Sequence, residues 1–310
     1  MQLEPIEKPY RDPTERVKDF DESSSGYTAE QAMAEAARCI HCAKPACVAA
    51  CPLGNDVATA IWYVEKGDFI KAAEIWRETS PFPEICGRVC PGESTCASAC
   101  ALDKRGKGIH TGALEAFVAD YQRQHGQVPL PEKAPPTGKR VGIVGAGPAG
   151  LTVAEELAKA GHEVVVYEQW PTPGGLLVYG IPSFKLDKGL IQWKTDWLHD
   201  LGVEFVTNIR IGEAITLDDL INQEAFDAVF LGTGAGIEAT MSIPGEDLEG
   251  IYGSIDFLIR ANVPRDMLPE DKRESIPVGK SVAVIGGGDT ATDCLRTALR
   301  LGAEQVMCYY

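Results

Sequence analysis

The sequence lacks any uninterrupted apolar run of about 18 residues, so it predicts no membrane-spanning helix. Residues 1–10 lack the apolar core of a secretory signal, and we therefore expect a cytoplasmic protein. Basic residues are scarce, since 29 Lys and Arg stand against 45 Asp and Glu and give a net charge of −16. A field of that sign repels nucleic-acid phosphates and anionic lipid, so we expect neither nucleic acid nor a membrane as a partner.

Cysteine is absent between Cys100 and Cys294, yet eight of the ten cysteines fall within residues 39–100. A secreted disulfide scaffold is short and follows a signal peptide, and neither applies to this sequence. Thiols packed this densely indicate metal ligands. The two remaining thiols, Cys294 and Cys308, are expected to be buried in a core.

The spacing of the clustered cysteines favours iron–sulfur clusters. Residues 39–52 follow C-x2-C-x4-C-x3-C-P, and residues 86–100 follow C-x3-C-x5-C-x3-C. Two-cluster ferredoxins use C-x2-C-x2-C-x3-C-P, and the two extra residues here mean that a ferredoxin fold does not follow. Zinc is the competing interpretation, because paired C-x2-C motifs also suit a tetrahedral thiolate site. The second group has no such pair, which favours two [4Fe–4S] clusters.

Apolar residues around the cysteines recur at helical spacing. Helices are predicted over Thr28–Arg38, Val57–Lys66, Phe69–Thr79 and Thr111–Gln124. We therefore expect an all-helical iron–sulfur domain over residues 1–125, followed by a stiff proline-rich linker over residues 126–138.

A dinucleotide-binding motif follows the linker. The apolar strand Val141–Val144 leads into G-x-G-x-x-G and a helix, as in a Rossmann unit. Gly145 allows the tight turn, Gly147 lets a pyrophosphate approach the backbone, and Gly150 lets the helix pack on the strand. Glu168, after the second strand, is placed to accept ribose hydroxyls, and its charge would repel a 2′-phosphate.

Further segments extend this first nucleotide site. Residues 173–182 predict a second backbone loop close to the ligand, and residues 228–235 predict a strand that returns to the same sheet. The predicted cofactor-binding residues of this domain, residues 139–240, are Gly145, Ala146, Gly147, Pro148, Ala149, Gly150, Glu168, Gly174, Gly175, Leu176, Gly180, Lys185, Thr233 and Gly234.

A second copy of the motif begins at residue 280, where an apolar strand leads into G-x-G-x-x-A and a helix. A decayed repeat that binds nothing is the alternative interpretation. Thioredoxin reductases have a similar motif with a redox-active C-x-x-C just before it, and the missing cysteines exclude that activity. The predicted nucleotide-binding residues are Gly286, Gly287, Gly288, Asp289, Thr290 and Ala291.

Two nucleotide sites beside clusters predict a flavin in the first and a nicotinamide in the second. Nicotinamides give up two electrons as hydride and iron–sulfur centres accept one at a time, whereas a flavin handles both. The chain stops in the second strand of the NAD(P)H domain, residues 241–310, so we expect a truncated domain that binds nicotinamide poorly. The expected fold class is α/β, with a helical iron–sulfur domain followed by two Rossmann-like domains for FAD and NAD(P)H.

These motifs resemble the small (β) subunits of bacterial NADPH-dependent glutamate synthase over nearly the whole chain. The same module occurs in dihydropyrimidine dehydrogenase and in the large subunit of NADH-dependent ferredoxin:NADP oxidoreductase, to which Arg11–Phe20 is also similar. Residues 39–100, 145–168, 174–186 and 286–294 together carry the resemblance. The specific motifs within the chain are Ile85–Pro91, Gly174–Leu177, Gly180–Leu186 and Gly286–Ala291.

The resemblance implies two sets of cluster ligands. One [4Fe–4S] cluster would be held by Cys39, Cys42, Cys47 and Cys100. The other would be held by Cys51, Cys90, Cys96 and a fourth ligand, which is either Glu115 or Cys86; Glu115 is slightly preferred because a carboxylate can ligate iron.

The resemblance also implies a function. Electrons from NADPH, with NADH not excluded, would pass through FAD and the two clusters to a large glutamate synthase subunit or another redox partner. The large subunit would use them to form glutamate from glutamine and 2-oxoglutarate. The alternatives are the large subunit of a flavin-bifurcating ferredoxin:NADP oxidoreductase, and a non-catalytic iron–sulfur electron-transfer or assembly protein.

Overall fold

The computed structural model describes residues 4–126, 128–213 and 215–310. Residues 1–3, Gln127 and Ala214, which fall in the predicted helical domain, linker and flavin domain, lie outside the described residues. In the part that is described, no helix is both long and apolar enough to cross a bilayer.

The chain divides into two compact units. One unit contains the residues up to Asp12 together with Ser23–Pro129, and the other contains Pro13–Glu22 together with Leu130–Tyr310. The short helix α1 (Pro13–Arg16) therefore belongs to the second unit, although most of the first unit follows it in sequence.

The first unit is helical, as the sequence predicts. Helix α2 begins with a capping box, in which the Thr28 hydroxyl accepts from the Gln31 N–H at 3.2 Å and the Gln31 side chain accepts from the Thr28 N–H at 2.9 Å. The helices of this unit are α2 (Ala29–Ala36), α3 (Ala46–Ala50), α4 (Val57–Glu65), α5 (Phe69–Arg77), α6 (Pro83–Val89) and α7 (Thr111–His125), with short 3-10 turns at Gly92–Ser94 and Asp103–Arg105.

The core of the first unit brings the cysteine loops together. Trp76 of α5 and Leu114 and Val118 of α7 are fully buried, and α2, α4, α5 and α7 pack around them. Partly buried Cys39 and Cys100 pack against this same core, although they are far apart in sequence. Burial of the apolar helix faces therefore determines where the predicted ligands lie.

The second unit contains a four-stranded parallel sheet in the order β3–β2–β1–β4. The predicted return of residues 228–235 to this sheet is confirmed, because Val144 lies opposite Leu231. The elements up to this point are β1 (Arg140–Val144), α8 (Pro148–Lys159), β2 (Glu163–Tyr167), α9 (Leu176–Tyr179), α10 (Lys188–Asp200), β3 (Val203–Val206), α11 (Leu217–Asn222) and β4 (Ala228–Leu231).

The rest of the second unit contains α12 (Ser254–Asn262), β5 (Ser281–Ile285), α13 (Asp289–Arg300) and β6 (Gln305–Tyr309), with 3-10 turns at Arg265–Met267 and Glu270–Lys272. Strands β5 and β6 pair in parallel as a separate two-stranded sheet, and α13 packs on both. The prediction of two buried core thiols is right for Cys294 and wrong for Cys308, which is exposed. The reason is that four of the five residues of β6 are exposed, since burial of a strand's side chains depends on what covers the faces of its sheet.

Candidate functional site

Four of the predicted ligands line a single cavity of about 90 Å³ in the first unit: Cys39, Cys42, Cys47 and Cys100. Cys39 follows α2, Cys47 lies on α3, and Cys100 comes from a later turn. Burial, with smaller contributions from the charges of Cys39 and Cys100, raises the pKa of Cys47 to about 11. A positively charged iron centre would offset this cost, since it binds the deprotonated sulfur. The cavity therefore fits the first cluster.

The second predicted set of ligands also lies together. Burial raises the pKa of the Cys90 and Cys96 thiols, and both are close enough to Cys51 and Glu115 for those charges to raise it further. Burial first, and then the charges of Glu115, Cys90 and Cys51, raise the pKa of Cys86 to about 12. These five residues form one acidic neighbourhood, to which the end of α3, helices α6 and α7, and the turn after α6 contribute.

Glu115 has the properties of an unsatisfied ligand. It lies on α7, and burial together with the charge of Glu84 raises its pKa to about 8. Among the described residues, the buried Glu115 Oε1 has no hydrogen-bond partner. A buried carboxylate oxygen without a partner is costly, and coordination to a metal would remove that cost. Cys86, the alternative ligand, already contacts the Ser80 hydroxyl at 3.8 Å.

A close helix contact places Glu115 beside the cysteines. Gly87 of α6 packs directly on α7, where an added Cβ would lie 2.8 Å from the Cα atom of Ala116. Gly112 faces the same contact, and its added Cβ would lie 2.9 Å from the carbonyl oxygen of Gly87. Small residues on both helices thus allow the approach that brings Glu115 near Cys90.

A cluster and a zinc ion demand different arrangements of ligands. Zinc draws four ligands to one point, at about 2.3 Å for sulfur, whereas a [4Fe–4S] cluster spreads its ligands over four irons. Within residues 4–126, 128–213 and 215–310, no group of three or more His, Cys, Asp or Glu side chains could hold a single metal ion.

In the first nucleotide motif, the glycines have different surroundings. Gly145 has a φ of +100° and forms the turn between β1 and α8. A Cβ on Gly150 would overlap the carbonyl oxygen of Gly145, whereas a Cβ on Gly147 would meet nothing closer than the Cα atom of Gly175 at 3.9 Å. Glycine is therefore needed at position 145 for the turn and at position 150 for close packing. Gly147 instead leaves open space beside the N-terminus of α8. Pro148 and Ala149 form the first turn of that helix.

Glu168 is tied to this glycine loop. Its Oε2 accepts from the Ala146 N–H at 2.9 Å, and its Oε1 accepts from the Trp170 N–H at 3.0 Å. Burial raises the pKa of Glu168, and the backbone hydrogen bonds oppose that shift. Each carboxylate oxygen keeps a further lone pair, so it can also accept a hydrogen bond from a ribose hydroxyl.

Residues 173–182 lie against the glycine loop, where a second backbone loop is predicted. The Gly174 N–H donates to the Ala146 carbonyl at 2.8 Å. An added Cβ on Gly175 would lie 2.8 Å from the Cα atom of Gly147, so this approach needs glycine. Leu176 begins α9, and Gly180 comes directly after that helix. Thr233 and Gly234 come shortly after β4, where Thr233 lies beside the Gly145 turn. Lys185 forms an ion pair with Asp293 at 2.9 Å.

The second motif repeats the strand–turn–helix arrangement. Gly286, with a φ of +127°, donates its N–H to the Tyr309 carbonyl at 2.7 Å. An added Cβ on Gly288 would meet nothing within 4 Å, so the loop is open before α13. Gly287 packs near Tyr310, Asp289 and Thr290 begin α13, and Ala291 is buried near Gly286.

The sequence did not single out two buried charged residues near these loops. Lys188 donates to the carbonyl of Leu177 at 2.8 Å and to that of Ile181, and burial lowers its pKa to about 7. Asp293 is buried on the apolar face of α13. It is the one charged residue among the buried residues of α13, beside Ala291, Cys294 and Ala298, and a charge within that buried set is the signal that could have identified it.

Residues 139–309, more than half of the chain, match the family described as pyridine nucleotide-disulphide oxidoreductase. The chain belongs to this family. The only cysteines of this oxidoreductase within the matched residues are Cys294 and Cys308, so the match carries no C-x-x-C motif. Residues 16–127 match the 4Fe-4S cluster domain II of dihydropyrimidine dehydrogenase, which confirms the expected iron–sulfur domain.

Curated relatives cover nearly the whole oxidoreductase chain. It is 38% identical to the glutamate synthase [NADPH] small chain of Halomonas elongata, over 99% of this chain and 64% of the relative. It is 40% identical to the glutamate synthase [NADPH] small chain of Bacillus subtilis, over 97% of this chain and 62% of the relative. It is also 40% identical to the putative oxidoreductase UacF of Escherichia coli, over 96% and 47%. The resemblance stated from the sequence is confirmed, and the chain spans about half to two thirds of these relatives.

Proposed function

We propose that this chain is the electron-input part of an NADPH-dependent glutamate synthase. The observation that carries the proposal is the combination, in one chain, of two separate cysteine neighbourhoods and two glycine-rich strand–turn–helix sites. When bound, FAD would accept hydride from NADPH and deliver single electrons to two [4Fe–4S] clusters. The similarity to small chains of NADPH-dependent glutamate synthases supports this choice of donor and of reaction.

The two cysteine neighbourhoods define the proposed cluster ligands. The cavity supports Cys39, Cys42, Cys47 and Cys100 as one set. The acidic neighbourhood supports Cys51, Cys90, Cys96 and Glu115 as the other set, with Glu115 preferred over Cys86 because its Oε1 is buried without a partner among the described residues.

The two glycine loops define the proposed nucleotide sites. FAD would lie on the loop from Gly145 to Gly150, where Gly147 leaves room for a pyrophosphate and Glu168 faces the ribose. The pyridine nucleotide would lie on the open loop from Gly286 to Ala291, at the N-terminus of α13. We place the protein in the cytoplasm, because closely spaced reduced thiols suit a reducing compartment.

The partner is the second part of the proposal. A large glutamate synthase subunit would receive the electrons and form glutamate from glutamine and 2-oxoglutarate. The equal identity to UacF, a putative oxidoreductase, favours a second candidate, in which the same module serves a different redox partner.

The decisive experiment is anaerobic purification of the protein from its own cells with any bound partner. We expect about eight irons and about eight sulfides per chain together with FAD, and bleaching of the flavin by NADPH. A large amidotransferase-type subunit that co-purifies would support glutamate synthase, and a different oxidoreductase subunit would support the second candidate. Zinc in place of iron and sulfide would overturn both.

A further inference from the structure

One face of α13 contacts the loop between α9 and α10. Asp293 Oδ2 accepts a hydrogen bond from Lys185 Nζ at 2.9 Å. The guanidinium carbons of Arg296 and Arg300 lie 4.4 and 3.9 Å from the centroid of the Phe184 ring. Residues 293, 296 and 300 are three and four positions apart, so they lie on the same side of the helix.

These contacts are shielded from water. Phe184 is 1% exposed, and the side chains of Lys185 and Asp293 are 29% and 8% exposed. Ion pairs and cation–π contacts are stronger when they are partly removed from solvent. Among the described residues, Asp293 Oδ1 has no hydrogen-bond partner. The Lys185 ammonium, bonded to Oδ2, therefore stabilises the buried Asp293 carboxylate.

The same loop is held to the neighbouring helix α12 and the turn after it. The Tyr179 hydroxyl donates to the Met267 carbonyl at 3.0 Å, and the Ser183 hydroxyl donates to the Asn262 carbonyl at 3.4 Å. Both α13 and the helix α12 that packs on it are therefore attached to residues 179–187.

A third element, the N-terminal segment Pro13–Glu22, contacts both α13 and the 179–187 loop. Arg300 donates from Nε to the Asp19 carbonyl at 2.8 Å and from Nη2 to the Arg16 carbonyl at 2.9 Å. The Asp187 N–H donates to Glu22 Oε1 at 3.3 Å. This segment thus contacts the end of α13 and the end of the 179–187 loop together.

We propose that Phe184, Lys185, Asp293, Arg296 and Arg300 form an α13 clamp, which positions the second glycine loop relative to the first nucleotide site. The inference rests on the proposed function, because hydride transfer requires reacting atoms about 3–3.5 Å apart. Residues 173–182 contact the first glycine loop, and the second glycine loop leads into α13. Phe184 and Lys185 of the clamp follow residues 173–182 in the chain and contact α13, so they connect the first glycine loop to the second. Lys185, which the sequence placed among the cofactor-binding residues, is in this proposal a positioning residue that acts through its ion pair with Asp293.

The test measures flavin reduction by stopped flow in the holoprotein at several NADPH concentrations. Lys185→Met breaks the clamp, and we expect the limiting rate to fall on the order of 100-fold with FAD content unchanged. Lys185→Arg keeps the ion pair and should stay within about threefold of wild type. Lys272→Met is the matched control. The Lys272 side chain is about as exposed as that of Lys185 and pairs with Asp256, and neither residue belongs to the clamp, so its rate should not change.

A second measurement needs no nucleotide. Hydrogen exchange of the α13 amides should become faster in Lys185→Met and stay unchanged in Lys272→Met. The double variant Lys185→Met/Asp293→Asn removes the unpaired buried charge, so it should regain thermal stability without regaining the limiting rate.

Several outcomes would overturn the clamp. Unchanged exchange of α13 in Lys185→Met, an unchanged limiting rate, or loss of FAD in both Lys185→Met and Lys185→Arg would each contradict it; the last would make Lys185 a direct cofactor ligand. Failure of NADPH to bleach the wild-type flavin would count against the proposed function instead, and the exchange measurement would still decide the clamp.

Discussion

The Glu35 carboxylate accepts a hydrogen bond from the Arg38 guanidinium at 2.5 Å, and both side chains are fully buried. Arg38 Nη2 also donates to the Lys107 carbonyl at 2.6 Å. Glu35 in turn accepts from the His110 N–H at 2.9 Å and from the Ile6 N–H at 2.8 Å. This network joins the end of α2, directly before Cys39, to the segment that leads into α7.

Arg38→Met should destabilise the first unit by about 3–5 kcal/mol, because it leaves the Glu35 carboxylate buried without its cation. The free energy of unfolding, followed by circular dichroism, measures this. The double variant Glu35→Gln/Arg38→Met removes the unpaired charge and should recover part of the loss. Lys71→Met breaks an exposed pair with Glu74 in the same unit and should cost far less stability. A loss in Arg38→Met no larger than in Lys71→Met would contradict the expectation.

Glu115→Ala should lower the iron content and change the electron paramagnetic resonance spectrum of one cluster, because it removes the proposed fourth ligand. Cys86→Ala is the matched variant, since Cys86 lies in the same neighbourhood, and we expect it to leave iron content unchanged. The opposite pattern, with iron lost only in Cys86→Ala, would assign the fourth ligand to Cys86.

Gly147→Ala and Gly150→Ala should fail in different ways. The first adds a methyl group where nothing lies closer than 3.9 Å, so the protein should fold normally but bind FAD weakly, because the methyl group occupies the space left for the pyrophosphate. The second overlaps the Gly145 carbonyl and should lower the thermal stability of the unit. Flavin content and melting temperature measure both effects. Normal FAD content in Gly147→Ala would argue against a dinucleotide on this loop.

Lys188 should make stability depend on pH. Burial lowers its folded pKa to about 7, below the usual 10.5, so between these values the unfolded state holds a proton that the folded state lacks. Stability therefore rises with pH in this window, by up to about 1.4 kcal/mol per unit from this group. Denaturant unfolding from pH 7.5 to 9 should show this rise in wild type and in Lys18→Met, and a smaller rise in Lys188→Met. Equal slopes in all three proteins would contradict it.

Local patterns predicted much of this fold. The Thr28–Gln31 spacing gives the capping box, and the apolar run before Gly145 gives β1, because both depend on neighbours in sequence. The two cysteine neighbourhoods came from the resemblance, since spacing alone does not tell which distant cysteine returns to which loop. Cys308 was placed wrongly because its burial depends on what covers β6, which the strand pattern does not contain.

Long-range pairs between charged residues were the part that the sequence could not supply. Lys185 and Asp293 are more than a hundred positions apart, and each has an ordinary local role, in a loop and on a helix. Glu35 and Arg38 are three residues apart and would read as an exposed helical pair. Their burial results from the segments at Ile6 and Lys107, which only the folded chain brings to them.

The membership of Pro13–Glu22 in the second unit has a practical consequence for protein engineering. A chimera that joined a foreign nucleotide module after Pro129 would keep residues 13–22 of this protein. It would lack Phe184, Asp187 and Arg300, which those residues contact here. An exchange of modules should therefore transplant residues 13–22 together with everything after residue 129. The chain passes from one unit to the other three times, after Asp12, after Glu22 and after Pro129, and all three boundaries matter for such a design.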